Sequence, residues 1–258
     1  MDGYDGTSLR AAGLPETDLR PAIAEQDDPV LFATVSGAHL YGFPSQDSDV
    51  DLRGVHLLPT AALVGLREPD ETRSRIWQRD GIELDLVTHD LRKFVRLLLR
   101  RNGYVLEQLL SPLVVRTSEA HAELASLVPG VLTHHHAHHY RGFAHTQWRL
   151  FEKTSELKPL LYTFRVLLTG IHLMRSGQVQ AHLPSLLSQV AAPGYLPDLI
   201  AAKAAEEHGV ADVDDTRVRG DVEALHAVLD AAQDGSGLPD APGAHDALHD
   251  FVVRTRLA

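Results

Sequence analysis

Two aspartates separated by one residue, Asp49-Val50-Asp51, lead into the run VDLRGVHLL, and a third, Asp85, sits within GIELDLVT. In an extended strand alternate side chains share a face, so Asp49 and Asp51 project together while Val50 and Leu52 turn toward a core. Carboxylates this close repel and raise each other's pKa unless a cation neutralises them. Magnesium meets that demand, because it takes oxygen ligands and is usually held by one or two carboxylates with water and phosphate oxygens. A third carboxylate arriving from a neighbouring strand lets such a site hold two divalent ions roughly 4 Å apart. Asp85 is the candidate, with Glu83, two residues earlier on the same face, as the fallback. Gly37 lies twelve residues ahead of the pair, where the run VLFATVSG turns. A glycine there lets backbone N–H groups approach a phosphate at the start of a short helix. Ser36 stands beside it, and Arg53 reads equally well as a phosphate contact or as the partner of the carboxylates.

These side chains need a sheet to bring them together. The apolar, β-branched run from Pro29 predicts a buried strand ending at Gly37, Val50 to Leu58 a second strand, and Gly81 to Thr88 a third. A polar stretch containing Arg73, Arg75 and Trp77 separates the last two. Leu91, Phe94, Val95 and Leu98 recur at helical spacing, with Asn102-Gly103 as the stop before a second short helix. Beyond Pro112 the pattern is almost wholly helical, and Gly177 ends the longest stretch. The expected fold class is α/β: a small mixed sheet with flanking helices over 29–115, preceded by an arm (1–28) that packs late or frays and followed by an all-helical domain (116–258). Within the last, DGSGLPDAPG (234–243) reads as a flexible joint before a short final helix.

Composition narrows the chemistry. The chain has 258 residues, 44% hydrophobic and 23% charged, which is ordinary for a globular protein. With no cysteine, disulfides, thiolate metal sites and thiol nucleophiles are excluded. A formal net charge of −11 argues against broad coating of a nucleic-acid backbone, though not against a local basic groove. No apolar stretch approaches the roughly 20 residues of a membrane span, and the start MDGYDGTSLRAAG lacks a signal-peptide pattern, so no membrane association and a cytoplasmic location are expected. GxSxG, Walker and Rossmann signatures do not occur.

Other clusters have plainer readings. Arg92, Arg96 and Arg100, with Lys93 and Arg101, form a row that serves either as solvated helix surface or as a positive ridge guiding a polyanion. His134 with His138 and His135 with His139 have a spacing able to bind zinc, but without the glutamate of HExxH a polar helix face is expected. Lys158 and Arg165 lie on helices of the second domain, within reach of a triphosphate or in structural roles.

The segments GAHLYG, SDVDLRGV, DLRKFVRLLLRRNGYVLEQL and KPLLYTFRVLLTGIHLMRSGQV together resemble the DNA polymerase β nucleotidyltransferase superfamily. Within it, they resemble a bacterial branch of predicted nucleotidyltransferases that includes the RNA-repair-associated polymerase-β-like proteins. The likeness runs from about Val30 to Leu183. It implies metal ligation by Asp49, Asp51 and Asp85, triphosphate contact at the Gly37 turn, and two Mg2+ ions for which Mn2+ substitutes; Ser36, Arg53 and Lys158 join Gly37 as nucleotide-binding candidates on their residue types and positions. The implied reaction transfers NMP from an NTP to an acceptor hydroxyl, an RNA 3′ end or other nucleic-acid end, releasing pyrophosphate, with Asp85 also helping to deprotonate the acceptor. A small-molecule or protein acceptor is the alternative, as is a weakly catalytic nucleotide-binding module, since Ala38 stands where the superfamily usually has serine. Protein partners are not specified.

Overall fold

A computed structural model of the chain describes residues 6–14, 17–45, 47–205 and 209–258; residues 1–5 of the expected arm lie outside the described residues. The chain forms two compact units. The first comprises residues up to Leu40, Asp49–Val131 and Pro242–Ala258, and the second Tyr41–Ser48 and Leu132–Ala241.

The first unit is built on a five-stranded mixed sheet in the order β3-β4-β2-β1-β5. Its strands are β1 (Val30–Val35), β2 (Val50–His56), β3 (Thr72–Arg79), β4 (Ile82–Asp90) and β5 (Val114–Arg116). Its helices are α1 (Gly6–Ala11), α2 (Arg20–Ala24), α3 (Gly37–Tyr41, whose last residue belongs to the second unit), α4 (Thr60–Val64), α5 (Leu91–Leu99), α6 (Gly103–Leu109) and α7 (Glu119–Ser126). The helix His245–Leu257, α13, closes the chain in this unit. Strands β2 and β4 pair in parallel, and every other pairing is antiparallel.

Alternation sorts the sheet faces as the sequence pattern requires. Val50, Leu52, Leu84 and Leu86 are buried, and Phe32 of β1 packs edge-on against Phe94 of α5 and stacks on His121 of α7. Asp90 ends β4 and caps α5, its carboxylate accepting from Arg92 N–H at 2.9 Å. The same fully buried carboxylate accepts from Leu58 N–H at 3.1 Å and from Arg256 of α13 at 2.9 Å through both oxygens. This ion pair ties the C-terminal helix to the sheet unit, whereas the sequence pattern groups that helix with the helical domain.

Three local features differ from expectation. Strand β3 occupies the polar stretch that carries no strand pattern, because it is an edge strand whose residues are mostly exposed. Asn102 is not a stop but the N-cap of α6, accepting from Tyr104 N–H at 2.9 Å, and the break before it is made by Arg101 at φ +63°. The arm is packed rather than frayed in its described part, since Leu9, Leu14, Leu19 and Ile23 are all buried. Their irregular spacing hides them from a periodicity test.

The second unit is helical: α8 (Ala137–Thr154), α9 (Leu157–Ser176), α10 (Leu183–Leu186), α11 (Leu196–Ala205) and α12 (Asp215–Asp234). Helices α8 and α9 form a hairpin broken at Ser155, which adopts φ +55°, and α9 ends at Gly177 with φ +69°. Leu160, Phe164, Leu167, Leu168 and Ile171 of α9 are wholly buried, with Tyr140 of α8 and Leu229 of α12. The stretch 234–243 is pinned to the helices: Ser236 Oγ donates to Met174 O at 2.8 Å, and His134 N–H donates to Pro239 O at 3.2 Å, among other contacts. No helix of the described residues is long and apolar enough to cross a membrane.

Candidate active site

Parallel pairing of β2 with β4 places Asp51 directly opposite Asp85, so the two carboxylates share one face of the sheet. Arg53, two residues along β2, lies between them. Its Nη2 donates to Asp51 Oδ1 at 2.6 Å and to Asp85 Oδ2 at 2.8 Å. Its Nη1 donates to the carbonyls of Leu52 at 2.9 Å and Asp85 at 2.6 Å, and its Nε to Tyr104 Oη at 3.0 Å. An arginine has five N–H donors, and all are taken by these acceptors. Burial works against the charge on Arg53, but Tyr104, Asp51 and Asp85 outweigh it and hold the guanidinium above its ordinary pKa.

Of the two readings of Arg53, the geometry displays the pairing with the carboxylates: its side chain is 10% exposed and its donors are engaged by Asp51, Asp85, Leu52 and Tyr104. Two negative charges on neighbouring strands need a cation, and in the protein by itself Arg53 supplies it. The carboxylates keep a quarter of their surface open, at 28% for Asp51 and 26% for Asp85.

Gly37 abuts the pair. It has φ +61°, and a Cβ there would lie 1.8 Å from Asp51 Oδ2, so only glycine fits beside this carboxylate. Ser36 ties the turn to β2 by donating its N–H to Asp51 O at 2.8 Å. Its hydroxyl is buried without a hydrogen-bond partner. Ala38 is buried.

Asp49 is exposed immediately ahead of β2. Among the described residues Asp49, Asp51 and Asp85 do not gather into a trio with ligand atoms mutually within 4.8 Å; the one trio that does is His134, His135 and Asp240. Glu83 precedes the part of β4 that pairs with β2 and lies in register with Gln78 of β3. A donor set made only of carboxylates, partly open and cleared by a glycine, fits a hard divalent cation such as Mg2+. Asp51 and Asp85 are the residues that would hold it, and Asp49 precedes them immediately ahead of β2.

The remaining candidates are dispersed. Lys158 belongs to the second unit, in the first turn of α9. Arg165 is 1% exposed and lies over the Tyr41 ring at 3.7 Å, inside that unit. Of the basic row, Arg92 and Arg96 both pair with Glu71, which blunts a positive ridge. A cavity of about 240 Å³, lined by His56, Arg73, Arg75 and Thr88 among others, lies against the opposite sheet face from the carboxylates. Tyr104 is the residue that sequence reasoning missed. It reaches Arg53 because Asn102 starts α6 where it does, and only the Asn-Gly-Tyr turn hinted at that start.

Residues 15–254 match the family described as the RNA repair pathway DNA polymerase beta family, and the chain belongs to it. This is a polymerase β-type nucleotidyltransferase family. The chain is also similar to Uncharacterized protein MJ0002 of Methanocaldococcus jannaschii, with 31% identity over 157 residues, 60% of this chain and 64% of that protein. It thus spans less than two thirds of the length of that relative. Among solved structures, a nucleotidyltransferase-like protein from Exiguobacterium sibiricum matches 88% of this chain and 73% of its own, at 12% identity and a TM-score of 0.31.

Proposed function

We propose that the protein transfers NMP from an NTP to the 3′ hydroxyl of an RNA end, releasing pyrophosphate. The observation that carries this reading is the in-register pair Asp51 and Asp85, cleared by Gly37 and counter-charged by Arg53. Asp51 and Asp85, joined by Asp49, would hold divalent magnesium, for which manganese substitutes, and the ion supplies charge stabilisation at the phosphoryl oxygens and acidifies the attacking hydroxyl. Gly37 leaves room for the Asp51 carboxylate against the turn, and the partnerless Ser36 hydroxyl is the group there with hydrogen-bonding capacity to offer a phosphate. Asp85 is the base nearest the acceptor in this reading. Arg53 acts as a positioning residue that holds both carboxylates aimed together. Lys158, in the first turn of α9, is the nucleotide-binding candidate that the second unit offers.

A second reading, transfer to a small-molecule or protein hydroxyl, is favoured by the Glu71 clamp on Arg92 and Arg96 together with the net charge of −11. Incubation with Mg2+, each labelled NTP and a short single-stranded RNA tests the choice, with an Asp49→Ala/Asp51→Ala double variant alongside. RNA extension by the wild type alone supports the first reading. Pyrophosphate release only with a non-nucleic-acid acceptor replaces it by the second, and magnesium-dependent NTP binding without turnover indicates a binding module.

A further inference from the structure

The second unit holds a cluster that the nucleotidyl-transfer reading leaves unused. His134 and His135, in the 3-10 turn before α8, both direct Nε2 at the same oxygen, Asp240 Oδ1, at 3.2 and 2.7 Å. Their rings lie 4.0 Å apart between centroids, and the ligand atoms of the three residues are all within 4.8 Å of one another. We propose that His134, His135 and Asp240 form a binding site for a borderline transition-metal ion, Zn2+ foremost, which clips the start of α8 to the segment following α12.

The dimensions favour this. Tetrahedral zinc with bonds of about 2.0–2.2 Å separates its ligand atoms by roughly 3.3–3.6 Å. The two observed N···O distances fall short of that by fractions of an ångström or little more, so replacing a shared hydrogen bond by a metal requires only a slight opening. The ligands are also held in place. Thr133 and His136 cap the turn against each other, His134 N–H is bonded to Pro239 O, and Ser236 anchors the opposing segment to α9.

The chemistry also separates this site from the carboxylate pair. Two imidazoles and one carboxylate suit Zn2+, Co2+, Ni2+ or Cu2+, whereas an all-oxygen set suits Mg2+. The i, i+4 pairs suggested by the sequence do not form the site: His138 Nδ1 already engages Arg141 at 3.0 Å, and His139 is half-buried against Tyr140 and Phe143. With three protein ligands the fourth position falls to water.

Tag-free protein stripped with chelator and titrated with Zn2+ by calorimetry, and with Co2+ by visible absorption, tests the assignment. The expected result is one equivalent bound at micromolar or tighter affinity in the presence of millimolar Mg2+, with Co2+ giving the intense bands of four-coordinate geometry. Asp240→Asn and His135→Ala should each weaken Zn2+ binding at least tenfold and abolish the zinc-induced rise in melting temperature. His249→Ala, an exposed histidine elsewhere, and Asp51→Asn should change neither. Asp240 is 84% exposed, so its asparagine variant will fold. No stoichiometric binding overturns the proposal, as does binding that survives Asp240→Asn but is lost in His138→Ala.

Discussion

Replacing Gly37 by alanine perturbs the carboxylate pair without removing any functional group. The new Cβ would stand 1.8 Å from Asp51 Oδ2 and 2.7 Å from Asp51 Cγ, so the separation must grow by about 1.2 Å to reach 3.0 Å, the closest that real Cβ contacts come. Asp51 cannot yield alone, because Arg53 holds its other oxygen at 2.6 Å. Relief therefore moves Asp51, Arg53 and the turn together. A displacement of about 1 Å in a catalytic group costs on the order of 100-fold in rate, and that is the loss expected in nucleotide incorporation. Alanine at φ +61° adds backbone strain of about 1–2 kcal/mol, read by denaturant unfolding. Gly81→Ala is the matched control. Gly81, with Asp80, makes the tight turn between β3 and β4 at φ +79°, but nothing lies within 4 Å of a Cβ there. It should lose similar stability while keeping activity within about twofold. If Gly37→Ala incorporates nucleotide as well as Gly81→Ala does, the close approach of Gly37 to Asp51 has no catalytic meaning and the reasoning fails.

Arg53→Gln leaves two partly buried carboxylates facing each other without a counter-charge; allowing for their exposure, a loss of about 2–4 kcal/mol is expected in EDTA, shrinking as Mg2+ is added, by thermal or urea denaturation. Tyr104→Phe removes one acceptor from Arg53 and should cost about 1 kcal/mol while lowering turnover more than NTP affinity, measured as separate kcat and KM. Arg256→Ala strands the buried Asp90 carboxylate, at a cost of about 3–5 kcal/mol and a fall in Tm on the order of 10 °C by calorimetry. Burial lowers His89 and His139 to a pKa of about 4, in His89 with help from Lys93 and in His139 from Arg165. The unfolded chain takes up these protons first, so stability is level above about pH 6.5 and declines from there toward pH 4, each histidine contributing on the order of 1 kcal/mol by pH 5 after allowance for its partial exposure. Urea midpoints from pH 7.5 to 5 should show that decline; a flat profile would contradict the burial.

The site's backbone was legible because it is local. Asp49-Val50-Asp51 alternates with buried apolar neighbours, as does Leu84-Asp85-Leu86, so the period of two places the acids on one face and the core on the other. What local pattern does not carry is the pairing. That β2 and β4 run parallel, in the register that sets Asp51 against Asp85, depends on β3 folding back as an edge strand, and its exposed, polar residues conceal it despite the Asp80-Gly81 turn signal. The occupation of Arg53 was equally hidden, since four of its five contacts are to residues other than its near carboxylate, and one comes from α6. Long-range charge contacts account for the rest. Arg256 reaches Asp90 across 166 positions, and Asp240 meets His134 across 106, and no periodicity links residues so far apart.

The most direct test of the account is the rate of pyrophosphate release from an NTP mixture, with Mg2+ and single-stranded RNA, by the wild type and by Asp85→Asn. Asparagine preserves the size of the side chain but halves the charge of the pair, and a transition state stabilised by several kcal/mol of cation and carboxylate electrostatics should then slow on the order of 100-fold or more. Equal rates for the two proteins would contradict the assignment of the Asp51 and Asp85 pair as the catalytic centre.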